Sequence, residues 1–162
     1  MRVWRLCKAR YAAAAFSGEG ARLYSGRWNP VGVSMVYTST SLALASLECF
    51  VHLDPSVAPD DLVSVTATIP EDVAMEGIEV ADLPGDWRVT DNPTLQRLGS
   101  DWIAAQKSVA LEVPSVVVDG DWNVLLNPAH PDFGKIVMDA PKPWSFDQRM
   151  FKASGPSSVQ KS

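Results

Sequence analysis

Glu48 lies in an apolar run, Leu42–Leu53, interrupted by Ser46, Glu48 and His52 alone, with Ser41 just before it. At about 100° per residue, Ser41, Glu48 and His52 fall in one narrow helical stripe with Ala45 beside them. A carboxylate on such a helix needs a partner, a water-filled cleft or a raised pKa. It suits acid–base chemistry or the stabilisation of a cation, or else marks only the rim where a buried helix meets solvent. Upstream, the alternation in Val33–Thr38 sets Val33, Met35 and Tyr37 on one strand face. Tyr37 ends that strand and a polar turn opens the helix, a common ligand-facing arrangement. The plainer reading of Tyr37 is a core aromatic with its hydroxyl at the surface.

The preceding loop, Gly18–Pro30, holds Gly18, Gly20 and Gly26, with Arg22, Arg27, Tyr24 and Trp28 between and after them. Such a loop supplies backbone donors, guanidinium forks for phosphate and stacking faces, or is merely a turn with solvated arginines. It is neither a Walker A loop nor a dinucleotide fingerprint, since Leu stands at position 23 and no lysine follows. Further on, Ser115 opens a strand-like run, while Asn127 precedes Pro128 and His130 lies between Pro128 and Pro131. These fit plain turn and edge chemistry, and His130 reads as structural or exposed. No GxSxG, HExxH or paired-cysteine signature occurs, and Cys7 and Cys49 lie far apart. A structural zinc is therefore not expected, and both cysteines read as buried free thiols.

The elements that must position these side chains follow from pattern. Strands are expected at Val3–Cys7, Val33–Thr38, Leu62–Ile69, Ser115–Val118 and Ile136–Met138, all rich in β-branched residues. Helices are expected over Ser41–Leu53, which is apolar almost all round and so should be buried, and from Pro93 to about Lys107 with Asn92 as N-cap. Strands outnumber helices without strict alternation, which implies an α+β fold.

The chain has 162 residues and a net charge of −5, the size of one ordinary domain. The expected organisation is one domain over 1–152 and a flexible, small and polar tail over 153–162. Acidic balance argues against a generic nucleic-acid surface, and no apolar run is long enough to span a bilayer. The first segment has no signal-peptide h-region, so a cytoplasmic protein is expected. Charge is unevenly placed: residues 1–30 carry six bases and one acid.

In this order, the pieces resemble one family. The run Gly18–Asn29 (GEGARLYSGRWN), Val36–Ser39, and Leu42–Ala45 through Leu47-Glu48 are similar to the RES domain, the toxin half of bacterial Res–Xre toxin–antitoxin pairs. So are Val113-Pro114-Ser115, Leu126-Asn127-Pro128, His130–Phe133 and Phe146–Arg149; the likeness covers about residues 2 to 151. The resemblance implies a compact mixed sheet with flanking helices, related to ADP-ribosyltransferase toxins. It implies Arg27, Tyr37 and Glu48 as catalytic residues, with Tyr24, Trp28, Asn29, Ser115 and Asn127 about the substrate. It also implies an enzyme of the glycosyltransferase class without a resident cofactor or metal. The implied substrate is NAD, cleaved at the nicotinamide–ribose bond as a phosphorylase or glycohydrolase with phosphate as possible co-substrate, and Arg27, with Arg10 or Arg22, is the anion site expected for its phosphates. The implied partner is an Xre-type DNA-binding antitoxin that covers the site in a hetero-oligomeric complex, leaving this chain no nucleic-acid or membrane contact of its own. Two alternatives stand beside this: a mono-ADP-ribosyltransferase acting on a protein, and a non-catalytic module binding a nucleotide or partner.

Overall fold

Apolar residues in Arg2–Lys8 and β-branched residues in Leu62–Thr68 form the longest strands, β1 and β3, paired antiparallel over seven registers from Arg2↔Thr68 to Lys8↔Leu62. The structure, a computed structural model, describes residues 1–54 and 56–151. Pro55 and the expected tail at 153–162 lie outside the described residues. The remaining strands are β2 (Val36–Ser39), β4 (Met75–Gly77), β5 (Ala110–Pro114), β6 (Trp122–Leu126), β7 (Val137–Met138) and β8 (Lys142–Pro143). Among the described residues they make one eight-stranded sheet, ordered β4-β5-β6-β2-β1-β3-β7 with β8 also on β3. All pairs are antiparallel except β4 with β5.

Three α-helices flank the sheet among the described residues: α1 (Glu19–Leu23), α2 (Leu42–Phe50) and α3 (Pro93–Ala105). The architecture is α+β, as expected. Each sheet face packs its own core. Val3, Val36, Val65, Ala67, Val124 and Leu126 build one; Trp28, Met35, Leu95, Trp102, Leu111, Val113 and Leu125 build the other. Strand alternation explains the division, because Leu125 points opposite to Val124 and Leu126.

Several boundaries differ from expectation, each for a local reason. β2 begins at Val36, not Val33, because the chain is still leaving the turn at Gly32, whose φ is +97°. Ser115–Val118 is not a strand. The strand is Ala110–Pro114, and the Ser115 hydroxyl then accepts the N–H groups of Val117 and Val118 at 3.1 Å, coiling the chain into a turn. The edge strand near Ile136 is shorter than expected, Val137–Met138, because the Ile136 N–H still closes the preceding 3-10 turn on the Phe133 carbonyl. α2 starts where Ser41 caps it, its hydroxyl accepting from Leu44 N–H, and ends at Phe50, short of Leu53. It is not a buried helix: only Leu44 and Ala45 are buried, whereas Ala43 and Leu47 face solvent. α3 has Asn92 as N-cap and stops at Ala105, before Lys107, because Gln106 turns left-handed at φ +48°. No helix among the described residues is long and apolar enough to cross a membrane.

The sheet is tightest between β1 and β3 and loosest between β1 and β2, which share only the register Trp4↔Ser39. α2 packs on both β1 and β2 over this loose seam, with Ala45, Glu48 and Cys49 lining the space there.

Candidate active site

Glu48 is half-buried, and its Oε1 is held by two neutral donors. Ser115 Oγ donates to it at 2.8 Å and Asn123 Nδ2 at 2.5 Å. Asn123 is itself oriented by Ser39, whose hydroxyl donates to Asn123 Oδ1 at 2.6 Å across the β2–β6 pair. Oε2 receives no hydrogen bond among the described residues. The carboxylate is thus fixed through one oxygen and leaves the other available.

Tyr37 stands at the register opposite Leu125, on the same sheet face as Asn123. Its hydroxyl donates to Asn29 Oδ1 at 2.7 Å and accepts the Trp28 N–H at 3.0 Å. Asn29, fully buried, spends its amide on the carbonyls of Ala21, Tyr24 and Pro30. It is therefore the pin that ties the Gly-rich loop to β2. Gly26 is needed there, because a Cβ would lie 2.7 Å from the Tyr37 hydroxyl oxygen and 2.8 Å from Asn29 Oδ1. Burial pushes the Tyr37 phenol well above its ordinary range, with the Trp28 N–H and the Arg27 charge opposing.

Arg27 donates through one terminal nitrogen to the carbonyls of Trp87 at 2.8 Å and Val89 at 3.1 Å. Burial lowers its pKa from the ordinary value, while Glu48 and Tyr37 pull the other way. Among the described residues no ion pair joins Arg27 to Glu48. The two charges instead line one cavity of about 690 Å³, together with Trp28, Tyr37, His52, Thr90, Asp91 and Asn123.

Of the residues singled out from sequence, Arg27, Trp28, Tyr37 and Glu48 meet in this cavity, and Ser115 and Asn29 stand behind it as supports. Tyr24 is 74% exposed and lines neither this cavity nor its smaller neighbour. Asn127 is buried elsewhere, its amide donating to the Ile103 carbonyl and its oxygen accepting from Ala129. Arg10 and Arg22 do not line the cavity. Arg10 stacks on Tyr11 and Arg22 forks onto Glu19, so Arg27 alone of the three reaches the site. His130 is structural: its Nδ1 accepts from Asp132 N–H and caps a 3-10 turn. Cys7 and Cys49 are free and half-buried.

Sequence reasoning missed Asn123 and the wall formed by Thr90 and Asp91. Asn123 left a faint signal, one amide in the apolar run Trp122–Leu126, but only the register of β6 against β2 brings it to Glu48. Asp91 left none beyond lying before Asn92-Pro93; its φ of +57° belongs to a tight turn.

Comparison with known proteins adds to this geometry. The RES domain family model matches residues 2–147. The chain is 36% identical over 155 residues to "Toxin Res" of Photorhabdus laumondii, covering 94% of this chain and 99% of that protein. It is 39% identical to "Prs ADP-ribosylating toxin" of a Sphingobium strain, covering 92% and 96%. In three dimensions it is similar to the M. tuberculosis MbcT–MbcA toxin–antitoxin complex, with a TM-score of 0.69 at 18% identity over 88% of this chain and 83% of that one. The likeness of fold agrees with the sheet described above, and the family match spans every element that builds the cavity. The chain belongs to the RES domain family.

Proposed function

We propose that the protein is the toxin of a bacterial toxin–antitoxin pair and cleaves NAD at the nicotinamide–ribose bond, passing ADP-ribose to phosphate or water. The observation that carries this reading is the placement of Glu48 and Arg27 as unpaired opposite charges lining one cavity. NAD has the matching pattern: an anionic diphosphate and a ribose that becomes cationic at its anomeric carbon as the bond breaks.

Glu48 is the group for that developing charge. Its Oε1 is locked by Ser115 and Asn123, and its Oε2 is free to face the oxocarbenium-like centre or accept a ribose hydroxyl. Nicotinamide needs no acid, because its nitrogen is cationic before cleavage and neutral after it. Arg27 keeps donors for the diphosphate beyond those given to Trp87 and Val89. Tyr37 stays a neutral phenol and offers its ring to the substrate while its hydroxyl braces the loop. A second reading, transfer of ADP-ribose to a protein, is favoured by the name of the Sphingobium relative. A non-catalytic module is disfavoured by the bracing of Glu48 through one oxygen with the other left facing the cavity, which binding alone does not require.

The antitoxin is a protein partner that closes the cavity mouth. Val51 lines the cavity yet is 55% exposed, and Val89, which carries Arg27, is 58% exposed. The family resemblance supports a partner of the Xre type. Incubation of the purified protein with NAD, with and without phosphate, tests the reading. ADP-ribose phosphate or free ADP-ribose together with nicotinamide supports it; intact NAD overturns it. A modified protein in place of a small-molecule product favours the second reading.

A further inference from the structure

A second cavity of about 390 Å³ lies at the loose β1–β2 seam and shares Tyr37, Glu48, His52 and Asn123 with the first. Its remaining lining includes Arg5 and Lys8 of β1. Arg5 gives Nη1 to the Tyr37 carbonyl at 2.8 Å, while its Nε is sealed from solvent without an acceptor among the described residues. No carboxylate pairs with it among those residues. The titratable groups that act on it are the thiols of Cys7 and Cys49, and burial raises both, which keeps them neutral. Arg5 is half-buried, and a guanidinium partly withdrawn from water without a counter-charge is costly, a cost that an anionic ligand reduces. Tying β1 to β2 would need one donor; five are present.

We propose that this second cavity is an oxyanion subsite, with Arg5 as its cation, that takes the inorganic phosphate acceptor. The proposal rests on the NAD-cleaving reading, because it places the acceptor across Glu48 from the cavity that holds Arg27. In the step it serves, an oxygen of hydrogen phosphate bonds to the anomeric carbon as the carbon–nitrogen bond breaks. The bonding pair returns to the nicotinamide nitrogen, the proton stays on phosphate, and total charge is unchanged. Arg5 also offsets repulsion between the phosphate and the Glu48 carboxylate at the shared wall.

The test is titration of inorganic phosphate into the ¹⁵N-labelled full chain without NAD, at ionic strength held constant with chloride. The expected result is a saturable shift at Arg5 Nε–H and at the backbone amides of Leu6 and Thr38 in the wild type; read at those amides, Kd rises at least tenfold in Arg5→Gln and is unchanged in Arg2→Gln, which removes an exposed cation from the same strand. No saturable shift at Arg5 in the wild-type protein overturns the proposal, and so does wild-type affinity in Arg5→Gln. Should Arg5→Gln fail to fold, the wild-type titration decides alone. A parallel titration with ADP-ribose identifies the source of the oxyanion. If ADP-ribose saturates Arg5 and competes with phosphate, the cavity holds a nucleotide diphosphate and the acceptor assignment is wrong. Nicotinamide release in phosphate-free buffer judges the NAD reading separately, so either can fail without the other.

Discussion

Ser115 Oγ lies 2.8 Å from Glu48 Oε1 and donates to it, while the same oxygen accepts the N–H groups of Val117 and Val118. One hydroxyl therefore closes the turn after β5 and aims a carboxylate 67 residues away in sequence. Hydrogen bonds to charged groups contribute about 1.5–3 kcal/mol. Ser115→Ala is expected to lower the rate of nicotinamide release by about 10- to 100-fold at saturating NAD. Ser115→Thr, which keeps the hydroxyl, should restore most of it. Equal rates in the alanine variant and the wild type would separate Ser115 from the work of Glu48.

Tyr37 braces the Gly-rich loop through both sides of its hydroxyl. Tyr37→Phe leaves the Trp28 N–H and Asn29 Oδ1 without their partner, at a cost of about 1–3 kcal/mol. At about 2–4 °C per kcal/mol for a chain of this size, melting should fall by about 2–12 °C. Differential scanning calorimetry of the two proteins checks this.

The same phenol sets an alkaline signature. Burial raises its pKa in the folded state, so the fold binds a proton that the unfolded chain gives up. That contribution to stability is fully present below the unfolded value of about 10 and is lost as pH rises from there toward the folded value. Tyrosinate absorbance should then have equal amplitude in wild type and Tyr37→Phe until alkaline unfolding. The wild-type excess should appear only as the chain unfolds. A wild-type excess in the folded protein near pH 10 would contradict the burial argument.

Gly99 on α3 carries the Gly-rich loop at close range, since a Cβ there would lie 1.9 Å from the Trp28 carbonyl oxygen. Gly99→Ala must push the helix away from the loop that presents Arg27. Overpacking of this kind costs about 1–3 kcal/mol or more. Expected outcomes are a lower melting temperature and at least a tenfold loss of nicotinamide release. Gly20→Ala is the control, because a Cβ there meets nothing within 4 Å.

Much of this site was legible before any coordinates, and the limits have physical causes. Glu48 stood out because a carboxylate in an apolar helix is expensive unless used, and Asn92 declared itself as a cap through local chemistry. Arg27, Tyr37 and Ser115 needed the family resemblance, since each has a bland local reading. What sequence could not give was pairing. Asn123 reaches Glu48 only because β6 lies against β2 in the register Ser39↔Asn123, a contact 84 residues apart. The same ignorance of neighbours made α2 look buried, when its outer face meets solvent. It likewise credited Arg22 to an anion site, when Glu19 three residues away already holds it.

In the proposed reaction Glu48 stabilises the ribose cation formed from NAD. Glu48→Gln keeps the size of the side chain and removes its charge. The direct measurement is nicotinamide released from NAD by purified wild type and Glu48→Gln, with melting temperatures compared alongside. Release by the wild type is expected, with a loss of at least about 100-fold in the variant at a similar melting temperature, a difference of about 2.7 kcal/mol in transition-state stabilisation. Release by Glu48→Gln at the wild-type rate, or none from the folded wild type, would contradict it.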